Sequence, residues 1–327
     1  MRYFTLLTFF AVLALSLQAD EGDSVWARSY GGDNYDEAYT VTVDKNGYYV
    51  VAGFTNSYGS GLADYWILKI DPQVGDTIWT RTFGGSGNET ARAVAVGRNG
   101  YYYVAGYTNS FGSGNSDFWV LKLDPSNGDT IWTRTYGGTG NEDATSIAID
   151  GNGTFLVSGY TDSYGNGGAD CWIVRLDPST GDTLWTKTYG GSSSDYVNSI
   201  TFDSEGKSVL AGYTKSFGAG DADFWILRVD PSTGDTLWTK THGGTGSDKA
   251  YSVSSDSSGY LIVGYSNSFG GGDPDYFLMK VDPSTGDTIW TRVYGGNGSD
   301  LAYGGAVDSA GYYIVSGQSD SLSLIHI

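Results

Sequence analysis

The chain has 327 residues, 37 acidic and 18 basic, for a formal net charge of −19 with no basic cluster. Phosphate neutralisation needs grouped Lys and Arg, so nucleic acid is set aside as a partner, and the acidity suits an exported protein that must stay soluble. One cysteine, Cys171, precludes an internal disulfide, and two histidines, His242 and His326, leave no Cys/His metal set.

Met1–Ala19 carries Arg2, then an apolar run from Phe4 to Leu17, then a short polar exit. This reads as a secretory signal peptide, cut after Ala19 or after Ser16, where Ala14 stands third before the cut. A membrane anchor is the alternative, but the run is short against the roughly 20 residues that span a bilayer. No other stretch is long and apolar enough, so no membrane span is expected after cleavage.

From Asp20 to Ser321 the chain repeats itself. DPSTGDTLWTKTYGG, at Asp177–Gly191, recurs in variant form at Asp71–Gly85, Asp124–Gly138, Asp230–Gly244 and Asp282–Gly296. Its tryptophan falls at Trp26, Trp79, Trp132, Trp185, Trp238 and Trp290, a period of 53 residues with a last step of 52. Such a period means one supersecondary unit copied side by side.

In the copy from Trp79 to Ile131, four strands are expected: Ala91–Val96, Tyr101–Tyr107, Asp117–Leu123 and Thr130–Tyr136. They are separated by the turn Gly97–Gly100, the longer loop Asn109–Ser116 and the turn DPSNGD. Both faces of the third strand are mostly apolar, so it is covered on both sides. The fourth alternates polar and apolar and is half wet. The first carries small residues at alternate positions (Ala93 and Ala95, Ser146 and Ala148), as expected where strands converge on one axis. Together these describe a blade of an all-β, four-stranded antiparallel β-propeller.

About six blades fit, with Trp26–Tyr30 as an outermost strand that closes the ring against the last blade. The sixth starts at Leu301 and lacks its third strand. The end, Leu322–Ile327 (LSLIHI), reads as a truncated or artefactual tail, and the native protein is expected to be longer. Cys171 and His242 stand where other copies have aromatics and read as core substitutions.

WTRTYGGxGN-(D/E), VAGYTNSFGSG and DFWVLKLDPxxGD resemble the bacterial secreted β-propeller repeat family of SBBP type, over essentially all of Asp23–Ser321. The resemblance implies an exported propeller, often with further anchoring or sorting modules, and implies no reaction. The DPSTGDTLW turn is also similar to quinone-cofactor (PQQ) propeller repeats. That similarity is weaker, since a tight hairpin before an apolar strand uses such residues in any case.

Tight turns occupy one end of each blade and longer segments the other, so a binding face for protein or glycan belongs at the long-loop end. Two acids recur there: Asp36, Glu89, Glu142, Asp195, Asp248 and Asp300 ten residues after each Trp, and Asp64, Asp117, Asp170, Asp223 and Asp275 before each third strand. They read either as a ring of cation or sugar ligands or as acceptors for backbone N–H groups in their own loops, with the second favoured because they occur in every blade. No cofactor is called for, and calcium would have no specific motif. The loop aromatics Tyr58, Phe111, Tyr164, Phe217 and Phe269 read as staples between blades or, if exposed, as one stacking platform per blade. Residues that appear once, such as Arg92, Phe277 and Gln318, build no nucleophile–base–orienter group. The expected function is a non-enzymatic interaction or surface-structural module. A multivalent lectin and a fragment of a propeller enzyme are the alternatives.

Overall fold

The computed structural model describes residues 26–271, 273–308 and 310–320; the expected signal peptide and the tail lie outside them. The described chain is all-β, with five four-stranded antiparallel sheets and one two-stranded sheet in sequence order. We number them as blades: 36–83, 89–136, 142–189, 195–242, 248–294 and, with two strands, 300–319. Each packs on the next through its innermost strand.

Blade two shows why these residues make this unit. Its strands are Glu89–Val96, Tyr102–Thr108, Asp117–Leu123 and Thr130–Tyr136. The first therefore begins two residues before the expected Ala91, and the recurring acid is its opening residue. A bulge between Ala91 and Ala93 bends this strand. There the backbone presses on Gly106 so closely that a Cβ would fall 1.9 Å from the Thr90 carbonyl oxygen, which is why each second strand keeps a glycine at that step. The third strand is buried throughout and the fourth is half exposed, as the apolar pattern requires.

Two ladders join neighbouring blades. In the outer one, the fourth-strand tryptophan donates its indole N–H to the proline carbonyl in the next blade's turn: Trp79 to Pro125 at 3.2 Å, Trp132 to Pro178 at 3.4 Å, Trp185 to Pro231 at 3.2 Å and Trp238 to Pro283 at 3.0 Å. The inner one lies between third strands, where Tyr65 meets Trp119 with ring centres 4.6 Å apart and Phe118 meets Trp172 at 4.7 Å. Cys171 occupies the same column, fully buried, in a cluster with Trp225. Burial pushes its thiol pKa far up, so it is inert packing. His242 packs between Phe269 and Phe277, and burial holds its imidazole below the usual pKa.

The expected ring closure is met only in placement. Trp26 donates to the Pro72 carbonyl at 2.9 Å and the Tyr30 hydroxyl to Gly75 at 2.5 Å, so this segment sits beside blade one as an outer strand would. It pairs with no sheet, because an outer strand needs a third strand beside it and the described part of blade six has two. Consistent with open flanks, Tyr39, Val41 and Val43 of blade one and Tyr312 and Ile314 of blade six are exposed.

Candidate functional site

All recurring acids lie at the long-loop end, and nearly all are buried. Glu89 accepts hydrogen bonds from the Gly85 amide (2.8 Å), the Thr108 hydroxyl (2.9 Å) and the Ser110 amide (3.1 Å). Glu142 repeats this with Gly138, Thr161 and Ser163. Where aspartate replaces glutamate the shorter arm gains a serine hydroxyl: Ser57 to Asp36 at 2.8 Å, Ser216 to Asp195 at 2.6 Å and Ser268 to Asp248 at 2.6 Å. Asp300 takes the Gly296 amide and the Ser319 hydroxyl. Each acid thus ties the incoming link to its own blade's second–third loop.

The second acid caps that loop. Asp64, Asp117, Asp170, Asp223 and Asp275 accept the amides of Ser60, Ser113, Asn166, Ala219 and Gly271 at 2.7–2.9 Å. The other oxygen points at the first glycine of the following Gly-Gly link, beside the next blade's acid. Burial, and then the neighbouring carboxylate, raise the pKa of Asp64, Asp170 and Asp223. Among the described residues no group of three or more His, Cys, Asp or Glu is placed to hold a metal ion.

The loop aromatics have one face on protein and one on solvent. Tyr58, Phe111, Tyr164 and Phe217 lie against Trp66, Trp119, Trp172 and Trp225 of their own blades at 6.0, 5.3, 5.5 and 6.0 Å, and remain 44–48% exposed. Phe269 packs on Phe277 at 5.4 Å. The tyrosine hydroxyls of Tyr58 and Tyr164 donate to the link carbonyls of Gly31 and Gly137 at 2.9 Å.

A different set of residues lines the mouth of the channel at this end. The second strands contribute Phe54, Tyr107, Tyr160, Tyr213 and Tyr265. The first strands contribute two positions, one and three residues past the acid, and these differ between blades: Glu37, Thr90, Asp143, Tyr196, Lys249, Leu301 and Tyr39, Arg92, Thr145, Asn198, Tyr251, Tyr303. Their side chains touch from blade to blade. The Arg92 guanidinium lies 4.7 Å from the centre of the Tyr39 ring and 5.7 Å from Tyr107 and meets Asp143 at 3.3 Å. Tyr160 abuts Tyr196 edge-on at 5.0 Å, Tyr196 stacks on Tyr213 at 4.9 Å, and the Lys249 ammonium lies 4.5 Å over Tyr213.

Between blades two and three this mouth opens into a cavity of about 390 Å³. Burial pushes the Asp143 carboxyl up to about 6, against the opposing pull of Arg92. Arg92 stands out as a singular residue in the repeat, but its meaning depends on Asp143, 51 positions on and in another blade. The detectable signal was divergence: in a chain that repeats its turns nearly verbatim, the column one past the recurring acid differs in every copy and the column three past it holds four residue types in six copies. Such columns are released from the blade's own packing demands.

Sheets of this order, repeat and interblade packing define a β-propeller repeat protein. Residues 63–326 match the family of the outer membrane protein assembly factor BamB (PQQ_2), and the chain belongs to that family. The match falls on the PQQ-type similarity that the turn alone carries only weakly. The regulatory protein FlaEY of Caulobacter vibrioides is 26% identical over 80% of this chain; the chain spans 33% of that protein's length. Among solved structures, the Dos1 propeller is similar with a TM-score of 0.55 at 13% identity, covering 86% of this chain and 64% of that one, a likeness in fold. Quinohemoprotein alcohol dehydrogenase from Comamonas testosteroni gives 0.48 at 16% identity, over 85% of this chain and 46% of that one.

Proposed function

We propose that the protein is an exported, cell-surface or secreted propeller that works by binding rather than by turnover, with its long-loop mouth as the contact face. The carrying observation is the split between what recurs and what varies. The recurring acids are engaged in every blade by loop amides and hydroxyls, while the residues that differ between blades gather at the mouth. The Met1–Ala19 segment and the resemblance to SBBP-type secreted propellers support export.

Two experiments test this. Residues 1–19 fused to a reporter active only outside the cytoplasm should direct its export, and a silent reporter would remove the surface assignment. For the mouth, the purified chain should bind cell-envelope preparations. Exchanging Lys249 and Tyr251 for the residues of other blades (Lys249→Thr, Tyr251→Thr) should weaken binding, while Asn152→Ser and Glu205→Ser at the tight-turn end should not. Equal effects at both ends would sink the reading.

A further inference from the structure

The cavity between blades two and three has a composition that the other blade junctions do not repeat. Arg92 and Asp143 come from the first strands of adjacent blades, and no other blade has an arginine in the column of Arg92 or an aspartate in that of Asp143, so they meet at this junction alone. Tyr107, Tyr160 and Tyr196 form its aromatic sides, and Asn141 stands at its rim. Asp143 is 93% buried, being 7% exposed. Its Oδ2 faces Arg92 at 3.3 Å, whereas its Oδ1, also buried, has no hydrogen-bond partner among the described residues. Asp143 lines the cavity, and a buried, orphaned carboxylate oxygen is costly unless something donates to it.

The chemistry of the walls narrows what that donor can be. A metal ion or an ammonium group at Oδ1 would sit beside the Arg92 guanidinium, and like charges repel at that range. An anion drawn to Arg92 would meet Asp143 in the same way. The pair cancels itself in the buried part of the cavity, and the remaining charge on the lining is the exposed Asp162, which accepts from the Asn141 amide at 2.9 Å. A hydroxyl suits both members: its O–H donates to Asp143, and an adjacent hydroxyl oxygen accepts from the planar guanidinium. The tyrosine rings along the walls offer apolar surface to C–H groups. The cavity volume of about 390 Å³ falls within the roughly 300–1,000 Å³ of small-ligand sites.

We propose that this cavity is a saccharide subsite, in which Asp143 and Arg92 together hold a vicinal diol of a neutral sugar ring laid against Tyr107, Tyr160 and Tyr196. This rests on the binding reading above and moves any sugar contact from the loop aromatics to the mouth of the channel. A sugar taken there is recognised by one junction, once per chain, in contrast to a multivalent platform with one site per blade.

The test uses the full chain and residues that the fold already tolerates at these columns. Calorimetry with short oligosaccharides of glucose, mannose, galactose and N-acetylglucosamine should find saturable binding at a stoichiometry near one. Arg92→Thr and Asp143→Thr, each copying another blade's residue, should weaken it about tenfold or more, since each leaves one buried polar partner unmatched. Ile131→Thr on the outer strand should leave it unchanged. A folded wild-type chain that binds none of these sugars overturns the proposal, as does binding that survives both mouth substitutions or is lost on Phe111→Ala instead. Envelope binding that persists without sugar binding removes this subsite alone; loss of envelope binding removes the reading it rests on.

Discussion

Asp64 occupies the space that a side chain at Gly84 would need: a Cβ there would lie 1.6 Å from Asp64 Oδ1 and 2.6 Å from Glu89 Oε2. The same approach recurs between Asp117 and Gly137, where the distance is 2.0 Å. The first glycine of each Gly-Gly link is thus fixed by proximity, because the loop cap of one blade and the link acid of the next converge on its Cα. Gly137→Ala should cost about 1–3 kcal/mol by overpacking. Gly151→Ala, where a Cβ meets nothing within 4 Å, should stay within about 0.5 kcal/mol. Urea unfolding of both variants checks this, and equal stabilities would refute the role given to the Asp–Gly contact.

Lys69 and Lys122 hold equivalent, buried places with different surroundings. Lys69 meets Asp44 at 3.2 Å. Both lysines donate to the next blade's proline carbonyl, Lys69 to Pro125 at 3.0 Å and Lys122 to Pro178 at 2.8 Å, and both lie 4.6 Å over a tyrosine ring. At the position of Asp44, however, blade two has Gly97, so Lys122 has no carboxylate at ion-pair distance among the described residues. Burial lowers its pKa accordingly. Lys69→Met should destabilise by about 2–4 kcal/mol by stranding Asp44, whose remaining bonds to Tyr102 and two amides limit the loss. Lys122→Met should be neutral or stabilising by about 1 kcal/mol, since Tyr103 and Trp132 still donate to Pro178. Matched losses in the two variants would contradict this account.

Trp132 and Ile131 are neighbours on one strand and face opposite ways. Trp132 is 7% exposed between blades two and three, and Ile131 is 49% exposed. Trp132→Ala should cost about 3–5 kcal/mol, Ile131→Ala no more than about 0.5 kcal/mol. The comparison isolates interblade packing from strand propensity.

Asp143 gives the mouth a pH signature. Burial raises its folded-state pKa to about 6 and Arg92 opposes that rise; Tyr65 and Tyr160 also feel its charge. Because the folded value lies above that of an unfolded aspartate, the native chain binds more protons than the unfolded chain between about pH 4 and pH 6. The stabilising effect of protonation is complete below pH 4 and lost as pH rises through 6. Measured against Asp143→Asn, the wild-type melting temperature should therefore gain as pH falls from 7.5 to 4.5. A constant difference across that range would show that Asp143 does not titrate there.

The period, the four-strand order of a blade, the buried third strand and the end that bears the long loops were all legible, because each depends on local pattern repeated many times. Three features were not. The inner ladder of Tyr65 on Trp119 needs knowledge of how far neighbouring third strands are offset, which no single blade encodes. The bulge at Ala91/Ala93 shifts the first strand's start to Glu89, and alternating small residues do not report it. The mouth is the least legible part: recurring aromatic and acidic residues stand out in the repeat, while Asp143 and Arg92 carry meaning only as a pair from different copies. Repetition makes a scaffold readable and hides whatever is written once.

The tryptophan-to-proline ladder has a direction. In blades one to four the Trp donates to the turn of the blade that follows it. A chain emerging from its N-terminus, during synthesis or on crossing a membrane, therefore leaves its newest blade with an indole uncovered until about fifty more residues arrive. Completion would pass along the molecule as a wave, each blade finishing its predecessor, and a pause between blades would expose one unsatisfied edge at a time.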